Sequence, residues 1–79
     1  MARLRLFAQA RELAGTKEWL CDATTVGDLL DAACVAFGPD FAALLPHCRV
    51  WVDGEPAEPS TVLIDANEVA VLPPVSGGA

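Results

Sequence analysis

The sequence predicts an α+β fold in which one main helix packs on one face of a mixed sheet. Three observations lead to this prediction: several short segments alternate apolar and polar residues, one central segment carries an apolar stripe at helical spacing, and Gly, Pro and Asp-Gly turn signals separate them. The chain has 79 residues, whereas one domain usually takes ~100–200, so a two-domain enzyme is excluded. We predict one domain over residues 1–72 and an extended, flexible tail over residues 73–79.

The first elements are short. Residues 2–8 alternate between two faces, which predicts the first strand. Residues 10–14 predict a single helical turn closed by Gly15, because a residue without a Cβ suits the left-handed backbone at a helix end. Residues 17–22 predict a second strand, whose imperfect alternation allows Trp19 to face either side.

The main helix is the clearest element. It begins at Thr25, whose hydroxyl can accept a hydrogen bond from a free backbone amide, and Asp28 follows at the spacing of a capping box. Gly38 and Pro39 end it. Its apolar positions recur every three or four residues and form one continuous stripe: Val26, Leu29, Leu30, Ala33, Cys34 and Phe37.

The second half of the chain predicts a short helical piece and three more strands. Apolar spacing from Phe41 to Leu45 indicates the helical piece, which we expect Pro46 to end. Residues 48–52 alternate and run into the tight-turn signal Asp53-Gly54. The return strand contains Pro56, which lacks an amide donor, so it must lie at a sheet edge. Residues 61–64 predict an extended segment or short turn, and residues 69–72 the last strand.

One helix covers only one side of a sheet, so alternate strand residues must face away from it. We expect the covered face to consist of Leu4, Leu6, Val50, Val52, Val69 and Val71. If strands one, three and five are neighbours, the outer face consists of Arg3, Arg5, Phe7, Arg49, Trp51, Ala70 and Leu72. A surface of mixed basic and apolar side chains is typical of a docking surface. Two alternatives remain open: the arginines are ordinary solvated charges, or Trp51 belongs to the core.

The charge balance and the cysteines exclude several functions. Five Lys and Arg against eleven Asp and Glu give a net charge of −6, which is the wrong sign for binding nucleic acid. No apolar run is long enough for a membrane span, and no secretory signal opens the chain, so we expect a cytoplasmic protein without a membrane partner. Cys21, Cys34 and Cys48 are an odd number without a C-x-x-C pair, so neither disulfides nor a metal site is predicted.

The two ends of the chain resemble those of the MoaD/ThiS sulfur-carrier family. At the start, the match is Phe7-Ala8-Gln9-Ala10-Arg11-Glu12-Leu13-Ala14-Gly15, and near the end it is Asp65-Ala66-Asn67-Glu68-Val69-Ala70. The chain then finishes with Pro73-Pro74-Val75-Ser76-Gly77-Gly78. Within the family, the Ala-Arg-Glu-Leu turn and this ending are most similar to the small subunit of molybdopterin synthase. The resemblance implies a ubiquitin-like β-grasp fold.

The resemblance also implies a function. The chain would be the non-catalytic sulfur-carrier subunit of molybdopterin synthase and would donate sulfur from a thiocarboxylate on Gly78, with Gly77 beside it. Its partners would be the MoaE-like large subunit and a MoeB-like activating enzyme, which uses ATP, while this chain itself binds no cofactor. The partner-binding residues would be Phe7, Trp51, Leu72, Arg3, Arg5, Arg49, Pro73, Pro74 and Val75. Alternatives are a carrier for thiamine or cysteine formation, a ubiquitin-like protein modifier, and an interaction module with an inert tail.

Two residues depart from the family pattern. Ala66 stands where the family commonly has Gly, which is tolerated if Asn67 takes the left-handed turn conformation, because Asn accepts positive φ better than most residues. The family's chemistry uses the carboxylate of the terminal Gly, whereas here Ala79 follows Gly78. Three alternatives are open: a protease removes Ala79, that residue is foreign to the natural chain, or the protein does not carry out this chemistry.

Overall fold

The computed structural model describes residues 1–64 and 67–74. Its elements, in chain order, are β1 (Ala2–Leu6), α1 (Ala8–Ala14), β2 (Glu18–Cys21), α2 (Val26–Phe37), α3 (Pro39–Leu44), a 3₁₀ turn (Leu45–His47), β3 (Arg49–Val52), β4 (Glu55–Pro56) and β5 (Glu68–Leu72).

The strands form one mixed sheet in the order β2-β1-β5-β3-β4. The first strand, β1, runs parallel to β5 and antiparallel to β2, while β3 is antiparallel to both β5 and β4. The last strand, β5, therefore lies at the centre, between β1 and β3. The predicted outer face depended on these three strands being neighbours, as they are. The predicted α+β fold with a mixed sheet is confirmed, and so is the edge position of the strand containing Pro56.

The main helix, α2, packs on the sheet through the predicted stripe. The hydroxyl of Thr25 accepts a hydrogen bond from the backbone amide of Asp28 at 3.1 Å, which caps the helix. Leu29 is fully buried, while Leu30 is only partly buried against the core. Of the predicted covered face, four residues are buried and Val50 and Val52 are half-buried. The buried core as a whole consists of Ala2, Leu4, Leu6, Ala10, Val26, Leu29, Ala33, Phe41, Leu63, Val69 and Val71.

Trp19 is the residue whose face the sequence left open. It pairs with Leu4 across the β1–β2 ladder and packs against the core. Its ring meets that of Phe37 edge-on at 5.2 Å between centroids, and Phe37 meets Phe41 in the same way at 5.2 Å. Such edge-to-face pairs contribute about 0.5–1.5 kcal/mol each beyond the area they bury. Trp19 therefore holds the β2 edge strand to the end of α2.

Two helical boundaries differ from the prediction. The first helix begins at Ala8 rather than at residue 10. The second helical piece, α3, begins at Pro39 rather than at Phe41. It ends at Leu44, before Pro46 as predicted, and Pro46 itself lies inside the 3₁₀ turn that follows. A proline is tolerated there because the first residues of a new helical turn have no internal partner for their amides.

Candidate functional site

The outer face of the sheet is centred on Ala70 of β5. Ala70 registers with Arg5 on β1 and with Trp51 on β3, and Trp51 in turn registers with Pro56 on the edge strand. Trp51 is half-buried and alternates with two valines that pack against the core. Its ring therefore lies on the side of the sheet opposite α2. The small side chain of Ala70 leaves room on the surface between the longer side chains of Arg5 and Trp51.

Two of the three outward arginines face carboxylates of this chain. Nη1 of Arg5 lies 3.6 Å from Oε2 of Glu68, and Nε of Arg3 lies 4.0 Å from Oε1 of Glu18. Exposed pairs of this kind stabilise a fold by at most about 1 kcal/mol. These pairs change the surface more than the stability, because they neutralise two cations of a face that strand alternation alone predicted to be basic.

The central strand leaves the sheet between Phe7 and Arg49. Leu72 registers with Arg49 on β3. On the other side, Leu6 registers with Val71, so Phe7 and Leu72 each follow that pair by one residue. The ring of Phe7 is 38% exposed, and the guanidinium carbon of Arg5 lies 5.8 Å from its centroid. We call Leu72, Pro73 and Pro74 the tail root, and this end of the outer face surrounds it.

A left-handed residue sets the position of Phe7. Ala8 has φ 50, a conformation that is uncommon for residues other than glycine. The carbonyl of Phe7 accepts hydrogen bonds from the amides of Ala10 at 3.1 Å and Arg11 at 3.4 Å. The chain thus turns sharply from β1 into α1 while Phe7 stays beside the tail root. The sequence gives no signal for this turn, because alanine is a residue that usually avoids it.

Asn67 stands directly before β5 and is the residue that we expected to take a left-handed turn conformation. Its Oδ1 accepts a hydrogen bond from the amide of Ile64 at 2.6 Å, and its own carbonyl accepts one from the amide of Arg3 at 3.1 Å. Asn67 therefore fixes the beginning of β5. The tail root lies at the other end of this strand. A signal was available, because asparagine commonly bonds nearby backbone groups in turns.

Cys34 and Cys48 are not placed for nucleophilic chemistry. Burial raises the pKa of both Cys34 and Cys48, and the nearby Asp31 carboxylate raises that of Cys34 further. Sγ of Cys48 donates to the carbonyl of Leu44 at 3.5 Å. Thiols with raised pKa are poor nucleophiles because the thiolate is the reactive form. Both therefore serve as small apolar residues at the edge of the core.

Two kinds of feature are absent from the described residues. Over residues 1–64 and 67–74, no three His, Cys, Asp or Glu side chains come together in a way that could hold a metal ion. Within the same ranges, none of the helices has the length and apolar character needed to cross a membrane.

The structure places most of the predicted site residues on one face. Arg3, Arg5, Phe7, Arg49, Trp51 and Leu72 lie on or beside the outer face, with Pro73 half-buried and Pro74 exposed at the tail root. The predicted reactive end of the chain, with Val75, Gly77, Gly78 and Ala79, lies outside the described residues.

Comparisons with known proteins agree with this geometry. Residues 4–78 match the ThiS family. Small archaeal modifier protein 1 of Haloferax volcanii is 38% identical over 85 residues, covering 94% of this chain and 97% of that protein. Its crystal structure superposes with a TM-score of 0.82 at 33% identity and covers 98% of both chains.

Two further proteins are similar. The molybdopterin synthase sulfur carrier subunit of Chlamydomonas reinhardtii is 36% identical over 77 residues, covering 91% of this chain and 92% of that protein. A complex of subunits 1 and 2 of the molybdopterin-converting factor from Helicobacter pylori contains a chain with a TM-score of 0.70 at 20% identity, covering 98% of this chain and 97% of that one. At that identity the likeness concerns the fold alone.

Proposed function

This chain belongs to the ThiS family of small ubiquitin-like proteins, and on that premise we propose that it is the sulfur-carrier subunit of molybdopterin synthase. The observation that carries the proposal is the sequence motif that follows the central strand. The central strand β5 runs directly into Pro73-Pro74-Val75-Ser76-Gly77-Gly78. The 36% identity to a molybdopterin synthase sulfur carrier subunit over 91% of this chain supports it.

The tail has the residues that the chemistry needs. Two glycines without a Cβ pass through a narrow channel that larger residues would block, and they adopt strained backbone conformations readily. Pro73 and Pro74 hold the chain extended, which reduces the conformational freedom lost on insertion. The tail thereby carries the Gly78 carboxyl away from the sheet into the active site of a partner.

The reaction begins with activation of a poor acyl donor. A carboxylate oxygen of Gly78 attacks the α-phosphorus of ATP on a MoeB-like activating enzyme, and pyrophosphate leaves. A sulfide-level sulfur donor then displaces AMP from the acyl carbon, which leaves a thiocarboxylate on Gly78. In the MoaE-like large subunit, the thiocarboxylate sulfur attacks a carbon of the pterin precursor and displaces an oxygen leaving group. Water then hydrolyses the resulting thioester, which leaves the sulfur on the pterin and regenerates the Gly78 carboxylate. No side chain of this protein acts as acid, base or nucleophile, so it functions as a donor subunit rather than as a catalyst.

The outer face supplies the docking surface for both partners. Phe7, Trp51 and Leu72 offer apolar and aromatic area, which dominates the energetics of protein interfaces. In the Helicobacter pylori complex, a protein of this fold assembles with a second subunit, which supports a partner subunit for this chain. A docking surface around the tail root also places the tail at the entrance of the partner's active site.

Reconstitution in vitro tests the proposal. A chain ending at Gly78 is incubated with the cognate activating enzyme, ATP and a sulfur source, and then with the large subunit and the pterin precursor. We expect intact-mass spectrometry to detect one oxygen replaced by sulfur, followed by formation of molybdopterin. Thiocarboxylation without any molybdopterin would point to a carrier for thiamine or cysteine formation instead.

A second candidate function is protein modification. The 38% identity to small archaeal modifier protein 1 over 94% of this chain favours it as strongly as sequence similarity favours the first. In that case, Gly78 would form an isopeptide bond with lysine amines of other proteins. An epitope-tagged chain expressed in its native cell distinguishes the two, because a modifier accumulates in covalent conjugates of higher mass that depend on Gly78. A carrier stays at its own mass.

A further inference from the structure

The three outward arginines of the sheet differ in their cross-strand surroundings. Arg3 and Arg5 have carboxylates at 4.0 and 3.6 Å. Arg49 is exposed, and it forms no ion pair with any residue in the ranges 1–64 and 67–74. Its partner on β5 is Leu72, an apolar residue. The charge of Arg49 is thus left uncompensated by the part of the domain that the structure describes.

Arg49 lies at the end of the sheet from which the tail emerges. The chain as a whole carries a net charge of −6, yet a guanidinium without an ion pair among the described residues lies beside the point where the tail leaves the sheet. Gly78 lies six positions after Leu72, which corresponds to about 20 Å when the tail is extended. Arg49 therefore lies at the entrance of any channel that the tail enters, well away from the nucleotide that reacts with Gly78.

The following inference rests on the proposed function. We propose that Arg49 is the charged anchor of the docking surface. Its guanidinium pairs with a carboxylate side chain of the activating enzyme, at the rim of the channel that the tail enters. Guanidinium groups bind carboxylates through two parallel hydrogen bonds, and apolar neighbours such as Leu72 exclude water from the pair. Arg3 and Arg5 are poorer anchors, because each would first have to leave a carboxylate of its own chain.

The activating enzyme is the right probe, since a sulfur carrier and a protein modifier both depend on one. Calorimetry measures its affinity for chains ending at Gly78 that are unchanged or carry Arg49→Met, Arg49→Lys or Lys17→Met, each at low and at high salt. Methionine retains an apolar stem without the charge, and lysine retains the charge without the planar fork. Lys17→Met is the control for loss of one positive charge, because Lys17 is also exposed but lies before β2, outside the outer face.

We expect Arg49→Met to raise the dissociation constant about tenfold and to weaken its dependence on salt. Arg49→Lys should recover part of the affinity, and Lys17→Met should change it by less than about twofold. Equal thermal midpoints for all four chains would exclude misfolding. Binding by Arg49→Met that equals that of the unchanged chain, or an equal loss with Lys17→Met, would overturn the anchor while leaving the proposed function intact. An unchanged chain that does not bind the activating enzyme would contradict the proposed function as well.

Discussion

Asp53 and Glu68 are joined through both main chain and side chain. The amide of Asp53 donates to the carbonyl of Glu68 at 2.9 Å, and Oδ1 of Asp53 accepts from the amide of Glu68 at 3.0 Å. Oδ2 of Asp53 also accepts from Nδ2 of Asn67 at 2.5 Å. The tip of the β3–β4 hairpin is thereby fastened to the first residue of the central strand. Because β5 ends at the tail root, this attachment helps to fix the direction in which the tail leaves the domain.

Two substitutions of Asp53 should destabilise the fold by different amounts. Their difference separates the loss of hydrogen bonds from the strain of a positive φ. Asp53 has φ 49 and Gly54 has φ 86, as a tight hairpin turn requires. We expect Asp53→Ala to lower the free energy of unfolding by about 2 kcal/mol, since two hydrogen bonds to a carboxylate are lost. Asp53→Gly loses the same bonds but adopts positive φ freely, so it should be about 1 kcal/mol more stable than Asp53→Ala. Urea unfolding measures both, and equal stabilities of the two variants would contradict strain at this residue.

The stripe of α2 provides a second prediction. Leu29 is fully buried, whereas Val35 on the same helix is 88% exposed. We expect Leu29→Ala to lower the free energy of unfolding by about 2–5 kcal/mol, which is a large fraction of the stability of so small a domain. Val35→Ala removes apolar atoms from a helix surface and should change stability by no more than about 0.5 kcal/mol. If thermal unfolding gave similar midpoints for both variants, α2 would not be the helix that closes the core.

Features that depend on a local period were predictable from the sequence, and features that depend on register were not. Alternation around Leu4 and Val71 predicted the covered face, because a strand has a period of two whatever its neighbours are. Arg5 pairs with Glu68, which lies far away along the chain and comes near only when β1 and β5 align in parallel. The pairing therefore could not be read from charge alone. Ala8 was missed for a different reason, since its positive φ is imposed by the turn into α1 against its own preference.

The two half-buried thiols should differ in their response to a nearby charge. The pKa of Cys34 is raised by burial and by Asp31, and that of Cys48 by burial alone. Asp31→Asn should therefore lower the pKa of Cys34, increase its thiolate fraction at mildly alkaline pH and speed its alkylation by iodoacetamide. Cys48 provides the internal control in the same chain. Peptide mass spectrometry resolves the two rates, and an unchanged ratio between them would be inconsistent with the influence of Asp31.

The same shifts predict how stability depends on pH. Both folded thiols have a pKa above that of an unfolded cysteine, so the folded state holds these protons more tightly. Their contribution is fully present below the pKa of the unfolded thiol, about 8.5, and is lost as the pH rises through the folded values. The free energy of unfolding should thus decline in mildly alkaline solution. Replacing Cys34 and Cys48 by alanine should remove that decline, and a decline of the same size in the double variant would exclude the thiols as its source.

Substitutions of the two tryptophans should distinguish a loss of partner binding from a loss of stability. Trp51 lies on the outer face, whereas Trp19 packs against the core and contacts Phe37. We expect Trp51→Ala to weaken binding to the large subunit about tenfold or more while the thermal midpoint changes little. Trp19→Ala should instead lower the free energy of unfolding by about 3 kcal/mol. Calorimetric titration of Trp51→Ala with unchanged affinity, repeated with Phe7→Ala, would reject the outer face as the docking surface.

The carboxyl group of Gly78 must be free for any of the proposed chemistry. As the sequence stands, Ala79 follows it, so that carboxyl is part of a peptide bond. An amide oxygen is a far weaker nucleophile toward the α-phosphorus of ATP than a carboxylate, and no thiocarboxylate forms without release of the bond. We therefore expect the chain that includes Ala79 to be inactive with activating enzyme, ATP and sulfur source, while the chain ending at Gly78 is thiocarboxylated. Protease treatment that removes Ala79 should restore activity to the longer chain.

Replacing Gly78 by alanine in the shorter chain provides the matched control. It retains a free carboxylate but adds a Cβ at the reacting residue, so thiocarboxylation should be slowed rather than abolished. The longer chain lacks the carboxylate and should show no reaction, which separates a steric effect from a missing reactant. Mass spectrometry follows both chains through the same time course. If it detected full thiocarboxylation on a chain that still carried Ala79, the reaction would have to proceed through a group other than the Gly78 carboxyl, and the mechanism proposed for this tail would be wrong.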